Sequence, residues 1–455
     1  MRFINREEEL KTLKEEYQKE GSSFVIIYGR RRTGKTTLIK RFIEGKKAIY
    51  FLANLQSLDI QIEEFKSIAY DILKDEIILS IKDLKSVFKY ISNKTNKQKL
   101  IIVIDEFQYL ADVDNSIPSL FQSIWDEILK DKNIMLILCG SLIGLMHKFA
   151  LSYKSPLYGR RTSQIHLTPL SFPNFKKFFN INDVSKLIEY YAVLGGVPRY
   201  IEFFDESKDI YDNIKSKILY KNSYLYEEPN FILKDEVKHP ITYFSILQVI
   251  AQGEHKIGNI ASKLNIQTHN LTSFIEKLIE LDILKRVVPI TEENPAKSKK
   301  GLYYIKDNFF NFWFRYVFPN KSYLEIENYD YVLNKIKLDF HIYTSFVFEQ
   351  VVLESIHLLN IPFDYQKIGR YWDKDVEIDI MAIKDDQALI GECKYWNKPV
   401  GIEVLNDLKQ KSNYLKSYKI KYYALFSKSG FADNLRDLAK KDESIILIDL
   451  KESIL

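Results

Sequence analysis

Cysteine is nearly missing from this chain: 455 residues contain only two, Cys139 and Cys393, far apart and among apolar neighbours. That excludes a disulfide framework and a cysteine-built zinc site, and it fits a reducing compartment. Long apolar runs are missing too. No stretch approaches the roughly 18 uncharged apolar residues of a membrane span. The opening MRFINREEELKTLK lacks the apolar run of a secretory signal, so the expected location is cytoplasmic and no membrane partner is expected. A surplus of one charge is also slight. A net +5 over this length permits a local nucleic-acid footprint without establishing one.

What is present is material for several cores. At about 150 residues per domain, the length suggests roughly three domains. The 46% hydrophobic and 28% charged composition is that of a globular protein, with 30 Tyr and 29 Phe to fill its interior.

The strongest short signal is SSFVIIYGRRRTGKTTLIKRF. An apolar strand at 24–28 runs into Gly29-Arg30-Arg31-Arg32-Thr33-Gly34-Lys35-Thr36-Thr37, and a helical pattern follows at once. This is the strand–loop–helix setting of a nucleotide phosphate loop. Glycines let backbone amides turn inward around phosphate oxygens, and the helix aims its positive end at the same charge. Lys35 is expected to reach the β- and γ-phosphates of ATP and Thr36 to hold Mg²⁺.

A metal-side acid is expected at the carboxyl end of a neighbouring strand. KLIIVIDEFQYL supplies it: Asp105 as a Mg²⁺ contact, and Glu106 as the base that polarises the attacking water. Further strands read at 47–53, 134–140 and 163–168, and a largely helical stretch at 60–94 is placed over one sheet face. Such alternation predicts an α/β fold with a mostly parallel sheet covered on both sides. Ser141, after the fourth strand, is either a γ-phosphate sensor or a helix cap. Arg160 and Arg161 either reach phosphate, in cis or across a subunit interface, or belong to a solvated turn.

These landmarks, with FINREEEL, IIVIDEFQYL, LCGSLIGLM, SPLYGRR and YYAVLGGVPRYI, resemble the archaeal ATPase family within the STAND branch of AAA+-like P-loop ATPases, over roughly residues 1–230. The resemblance implies strand order 5-1-4-3-2, with the Ser141 strand between the Asp105–Glu106 strand and the phosphate-loop strand. It also implies that Phe3 to Glu7 lie near the adenine and that Gly195-Gly196-Val197-Pro198 marks a helical lid. Asn5 stands where many relatives carry glycine or aspartate, which leaves the adenine contact open.

Beyond 230, EEPNFILKDEVKHP (227–240) reads as a break between domains. Helical patterns at 240–251, 257–264 and 268–281 then have helix-turn-helix spacing. Ile260, Leu264, Ile266, Leu271, Ile275 and Leu278 are expected inside. Gln267, Thr268, His269, Asn270 and Ser273 fall on the outer side of the second helix, where they would meet DNA. A Lys- and Asn-rich loop at 292–305 reads as a wing. A rigid packing module is the alternative to DNA contact. His255 and His269 are read as surface residues, because nothing nearby has metal-ligand spacing. The aromatic run YYIKDNFFNFWFRYVF (303–318) suits a helix buried between modules better than a base-stacking platform.

The last segment holds a hairpin, VEIDIMAIKDDQALIGECKYW. A two-residue turn at Asp385-Asp386 would set Asp379 opposite Glu392 and Glu377 opposite Lys394, so Asp379, Glu392 and Lys394 cluster. Two carboxylates so close repel unless a cation or a proton lies between them. Asp379 and Glu392 are therefore candidate Mg²⁺ ligands, with Lys394 beside them. The alternative is an exposed Glu–Lys pair on an edge strand. The arrangement resembles the PD-(D/E)xK nuclease superfamily and the restriction-endonuclease type of domain fused to archaeal ATPases, over about 335–455. In such folds a glutamate on the preceding helix often joins the site, and Glu349 matches that place.

The resulting architecture is an ATPase core (1–170), a helical lid (171–235), a winged helix-turn-helix with the aromatic segment (236–330) and a PD-(D/E)xK-like α/β domain (331–455). The expected function is an ATP-binding, ATP-hydrolysing switch acting on DNA. An ATP-gated nuclease of a mobile-element or defence system and a non-catalytic regulator or scaffold are the alternatives. A protein partner or a homo-oligomer is compatible with all three.

Overall fold

The computed structural model describes residues 3–94 and 98–450. These form two compact units. One takes the chain as far as Pro169 together with Ile232–Lys238, and the other takes Leu170–Phe231 and the chain from His239 onward.

The first unit is built on five parallel strands: β1 (Ser23–Tyr28), β2 (Ala48–Leu52), β3 (Leu100–Asp105), β4 (Ile134–Gly140) and β5 (Ser163–His166). Their order is β2-β3-β4-β1-β5, the expected 5-1-4-3-2 read from the other edge, with β4 between β1 and β3. The central strands are continuous apolar runs because a parallel sheet is covered on both faces. Alternate residues separate cleanly. Phe24, Ile26, Ile102, Ile104 and Leu136 pack with Phe65 and Phe88 from helices Leu58–Leu73 and Leu84–Asn93. Val25, Ile27, Ile101, Val103 and Ile137 pack with Leu38, Ile39 and Phe42 of helix Lys35–Ile43. The stretch 60–94 thus covers one face, interrupted by a short 3-10 turn at Glu76–Ser80. Parallel strands bring the carboxyl ends of β1, β3 and β4 to one edge, and that edge collects the nucleotide-binding signals.

Much of the stretch 227–240, read above as a break between domains, is a helix, Glu228–Glu236. Pro229 does not prevent it, because a proline in the first turn costs no intrahelical hydrogen bond. The chain crosses from the second unit into the first within this helix, and it leaves the first again after Lys238.

In the second unit, helix Val184–Leu194 ends at Gly195, whose φ is 61°. A Cβ on Gly196 would lie 1.8 Å from the Leu170 carbonyl oxygen, so only glycine admits this approach. Three short helices follow at Ile241–Ala251, Ile257–Leu264 and Thr268–Glu280. They lead into the antiparallel pair β6 (Leu284–Val287) and β7 (Leu302–Ile305). Ile260, Leu271, Ile275 and Leu278 are buried as their spacing requires, while Leu264 and Ile266 are half-buried.

The aromatic run is not one helix. Its first three residues belong to β7, and helix begins only at Asn308. Asp307 makes the switch: its carboxylate accepts from Phe310 N at 2.9 Å and caps the new helix. Beyond it, Phe309, Phe310, Phe312, Trp313 and Phe314 are fully buried, and Trp313 Nε1 donates to the Tyr226 carbonyl at 2.7 Å. The core role expected of these rings holds.

The 27-residue helix Tyr329–Ser355 precedes a five-stranded mixed sheet. Strands β8 (Lys367–Trp372), β9 (Glu377–Lys384) and β10 (Gln387–Lys394) are antiparallel, while β11 (Lys419–Ser427) and β12 (Ile445–Asp449) add in parallel. Met381, Ile390 and Leu425 pack against Leu405 and Leu408 of helix Ile402–Lys411. No helix among the described residues is long and apolar enough to cross a membrane.

Candidate functional site

The phosphate loop follows β1 directly. Gly29 has φ 150°, and a Cβ there would meet the Leu167 carbonyl oxygen at 2.3 Å. Gly34 has φ 96°, a left-handed conformation that favours glycine. Arg30 is buried, whereas Arg31, Arg32 and Thr37 are half-buried. Thr33 Oγ1 donates to the Arg30 carbonyl at 2.9 Å and closes the turn. Lys35 Nζ donates to the carbonyls of Gly29 at 2.7 Å and Arg30 at 2.9 Å. Burial pushes the pKa of this ammonium down. A buried cation bonded to neutral carbonyls is an electrostatic deficit that an anion would relieve.

Opposite the loop, Asp105 Oδ2 accepts from Thr36 Oγ1 at 3.0 Å and from the Tyr50 hydroxyl at 2.6 Å. Burial, and then the Asp105 charge, raises the Tyr50 pKa and keeps that phenol a donor. A hydroxyl and a carboxylate meeting beside the loop mouth are the oxygen donors Mg²⁺ takes, so these residues fit the ion the fold implies. Glu106 stands in the left-handed region at φ 55°, a conformation that costs a non-glycine residue on the order of 1–2 kcal/mol. Its Oε2 accepts from Ser141 Oγ at 2.7 Å, from Ser141 N at 3.2 Å and from Gln108 Nε2. Ser141 is therefore not a helix cap; its side chain holds Glu106, and Leu142 occupies the cap position.

Arg160 and Arg161 are not drawn to the loop. Arg160 clamps Asp126 through Nε at 2.9 and 3.1 Å and also donates to the Pro156 carbonyl at 2.7 Å. Arg161 lies over the Tyr158 ring at 5.5 Å. The opening segment does touch the loop: Arg6 NH2 donates to the carbonyls of Thr33 at 3.3 Å and Thr168 at 2.8 Å.

The second unit carries the acidic hairpin. Its register runs from Lys384↔Gln387 to Ile380↔Gly391, the pairing expected for a two-residue turn at Asp385-Asp386. On the other side of β9, Gly369 pairs with Met381 but Tyr371 with Ile378, so Asp379 and Ile380 together oppose Arg370 alone. Such a bulge re-aims a side chain. Asp379 Oδ2 accepts from Cys393 N at 2.8 Å. Glu392 is buried and takes Lys394 on one oxygen at 2.7 Å and Lys411 on the other at 2.9 Å. Glu349 pairs with Arg370 at 3.3 Å, and Arg370 also binds Glu377 and the Tyr304 hydroxyl. Burial, then the Asp379 charge, pushes Glu349 up to about 8. Burial, then Glu392, pushes Asp379 up to about 6. Among the described residues no three His, Cys, Asp or Glu side chains are placed to hold a metal ion. Lys394 and Lys411 neutralise Glu392 in this structure.

Gln267, Thr268, His269, Asn270 and Ser273 are all exposed at the start of helix Thr268–Glu280. His255 is not a simple surface residue. It is half-buried, stacks on Tyr304 with ring centroids 4.2 Å apart and bonds the Tyr303 carbonyl at 3.0 Å. Sequence reasoning missed Tyr50, Gln108, Arg370 and Lys411. Gln108 was findable, two residues beyond Glu106. The pairing of Arg370 with Glu349 and of Lys411 with Glu392 carries no local signal, since those partners lie on separate elements.

Comparison with known proteins bears on both ends. Residues 3–204 match an "ATPase domain predominantly from Archaea", and residues 313–412 match "Archaea bacterial proteins of unknown function". An uncharacterized protein of Methanocaldococcus jannaschii, MJECL04, is 38% identical over 460 residues, spanning 99% of both chains. The uncharacterized ATP-binding protein MJ0074 of the same organism is 24% identical, over 58% of this chain and 83% of its own. Among solved structures, the Walker-type ATPase PABY2304 of Pyrococcus abyssi aligns with a TM-score of 0.51 at 21% identity, covering 69% of this chain and 96% of that one. With its phosphate loop inside the matched domain and a relative that shares its full span, the chain belongs to the archaeal ATPase family.

Proposed function

We propose that this protein is an ATP-hydrolysing switch of the STAND type that acts on DNA. The observation that carries the reading is the buried Lys35 ammonium, bonded to loop carbonyls and set beside the Thr36–Asp105 pair. Lys35 and the loop amides bind the phosphates, and Thr36 and Asp105 hold the Mg²⁺ that neutralises phosphate charge when bound. Glu106, released by Ser141 and Gln108, orients water and accepts its proton. The exposed polar face at Gln267–Ser273 is the DNA-facing side of a winged helix-turn-helix, and the lid and this module move with nucleotide state in a cytoplasmic setting. Calorimetry with ATP, followed by turnover with and without duplex DNA, tests the reading. Turnover that DNA leaves unchanged removes DNA from it; absence of ATP binding removes all of it.

The hairpin favours a second reading, a PD-(D/E)xK-like centre made of Glu349, Asp379, Glu392 and Lys394. Its support is the β9–β10 register and the mutual electrostatic influence of the three carboxylates. Titration of the full chain with Mg²⁺ and Mn²⁺, with and without ATP, tests it. A second divalent site that Asp379→Ala removes without changing ATP affinity is expected. If no such site appears at millimolar ion, the hairpin is structural.

A further inference from the structure

Seven residues of the chain, Ile232–Lys238, belong to the first unit although the segments on either side belong to the second. Two consecutive carboxylates fix this piece to the elements around the nucleotide site. Asp235 pairs with Arg31 of the phosphate loop. Glu236 accepts from Ile143 N at 3.0 Å and Gly144 N at 3.3 Å, in the turn that follows Ser141. Ser141 in turn holds Glu106 at 2.7 Å. One turn of helix thus grips both the loop that binds phosphate and the turn that restrains the water-activating base.

Arg31 is the informative member. Its other partner is the Tyr109 hydroxyl at 3.0 Å, and its guanidinium is close enough to Lys35 for their charges to repel. Lys35 is the residue expected to reach the β- and γ-phosphates, so Arg31 overlooks the terminal-phosphate end of the site. An exposed ion pair between these two groups would add little stability by itself. A γ-phosphate brings more charge than one carboxylate and matches the planar guanidinium fork.

We infer that Arg31 distinguishes a nucleoside triphosphate from a diphosphate, with Asp235 as its counter-ion when no γ-phosphate is present. The inference rests on the ATP-binding reading above. A triphosphate takes Arg31 from Asp235 and loosens the 232–238 turn. A diphosphate leaves the pair intact. Asp235 therefore weakens triphosphate binding selectively, and Glu236 links the same turn to the Ser141–Glu106 contact.

The test is calorimetry of the full chain with ADP and with a non-hydrolysable ATP analogue. Asp235→Asn is expected to tighten the analogue about tenfold, the scale of one charge-assisted contact, while ADP affinity moves less than about threefold. Arg31→Gln is expected to bring the analogue towards ADP affinity, and Asp235→Asn then adds nothing. Amide exchange in 232–238 is expected to quicken with the analogue and not with ADP. Equal tightening of both nucleotides, no change in either, an Asp235→Asn effect that survives loss of Arg31, or identical exchange with both would overturn the inference. These results leave the ATP reading standing wherever the wild type binds ATP and Lys35→Ala does not. A wild type that binds neither nucleotide ends both.

Discussion

Ser141 Oγ donates to Glu106 Oε2 at 2.7 Å, so the carboxylate expected to activate water is already held by a residue from the neighbouring strand end. Glu106→Gln keeps the shape and one acceptor oxygen but cannot take a proton. The variant is expected to bind ATP as the wild type does and to lose about 10²- to 10⁴-fold in turnover, the usual contribution of a positioned base. Steady-state hydrolysis beside calorimetry decides it; unaltered turnover would mean another group positions the water.

Lys35 contributes a buried cation whose hydrogen-bond partners are neutral loop carbonyls. Lys35→Ala is expected to weaken ATP by at least about tenfold, because a charged phosphate contact contributes about 1.5–3 kcal/mol. Unfolding temperature without nucleotide should hold or rise, since the buried ammonium is not paired with a carboxylate by hydrogen bond. Unchanged ATP affinity in the variant contradicts the phosphate role.

Glu349 and Asp379 give a pH signature. Both pKa values are raised in the folded chain, to about 8 and about 6, above the carboxylates' ordinary values. The folded state therefore binds more protons than the unfolded one across this window. Their stabilising contribution is complete below about pH 4, the ordinary carboxylate range, and is lost as pH rises through 6 and then 8. Glu349→Gln stays neutral and should flatten the upper part of that decline. Denaturant unfolding from pH 5 to 9 reads the difference; parallel curves for variant and wild type would refute it.

Trp313 is fully buried, and its indole nitrogen bonds the Tyr226 carbonyl. Trp313→Ala is expected to cost about 3–5 kcal/mol through the cavity and the orphaned carbonyl. A change below about 1 kcal/mol in denaturant unfolding would show that the aromatic segment is not a core element.

Local chemistry alone determined a great deal here. Gly29, Gly34, Lys35 and Thr36 are consecutive or nearly so, and the strand before them and the helix after them follow from apolar runs and period. The hairpin register followed from a two-residue turn, because side chains in a strand alternate with period two. The order of the ATPase strands came from family resemblance rather than from the residues themselves. Tertiary structure decided whatever depends on partners far apart in the chain: Ser141 restraining Glu106, Arg160 engaged by Asp126, Arg370 pairing with Glu349, and Lys411 reaching Glu392. It also brought Asp235, on the helix Glu228–Glu236, to Arg31. The physical reason is the same in each case. Strand and helix periods are set by neighbours along the backbone, whereas the partner of a charge is set by which elements the fold packs together.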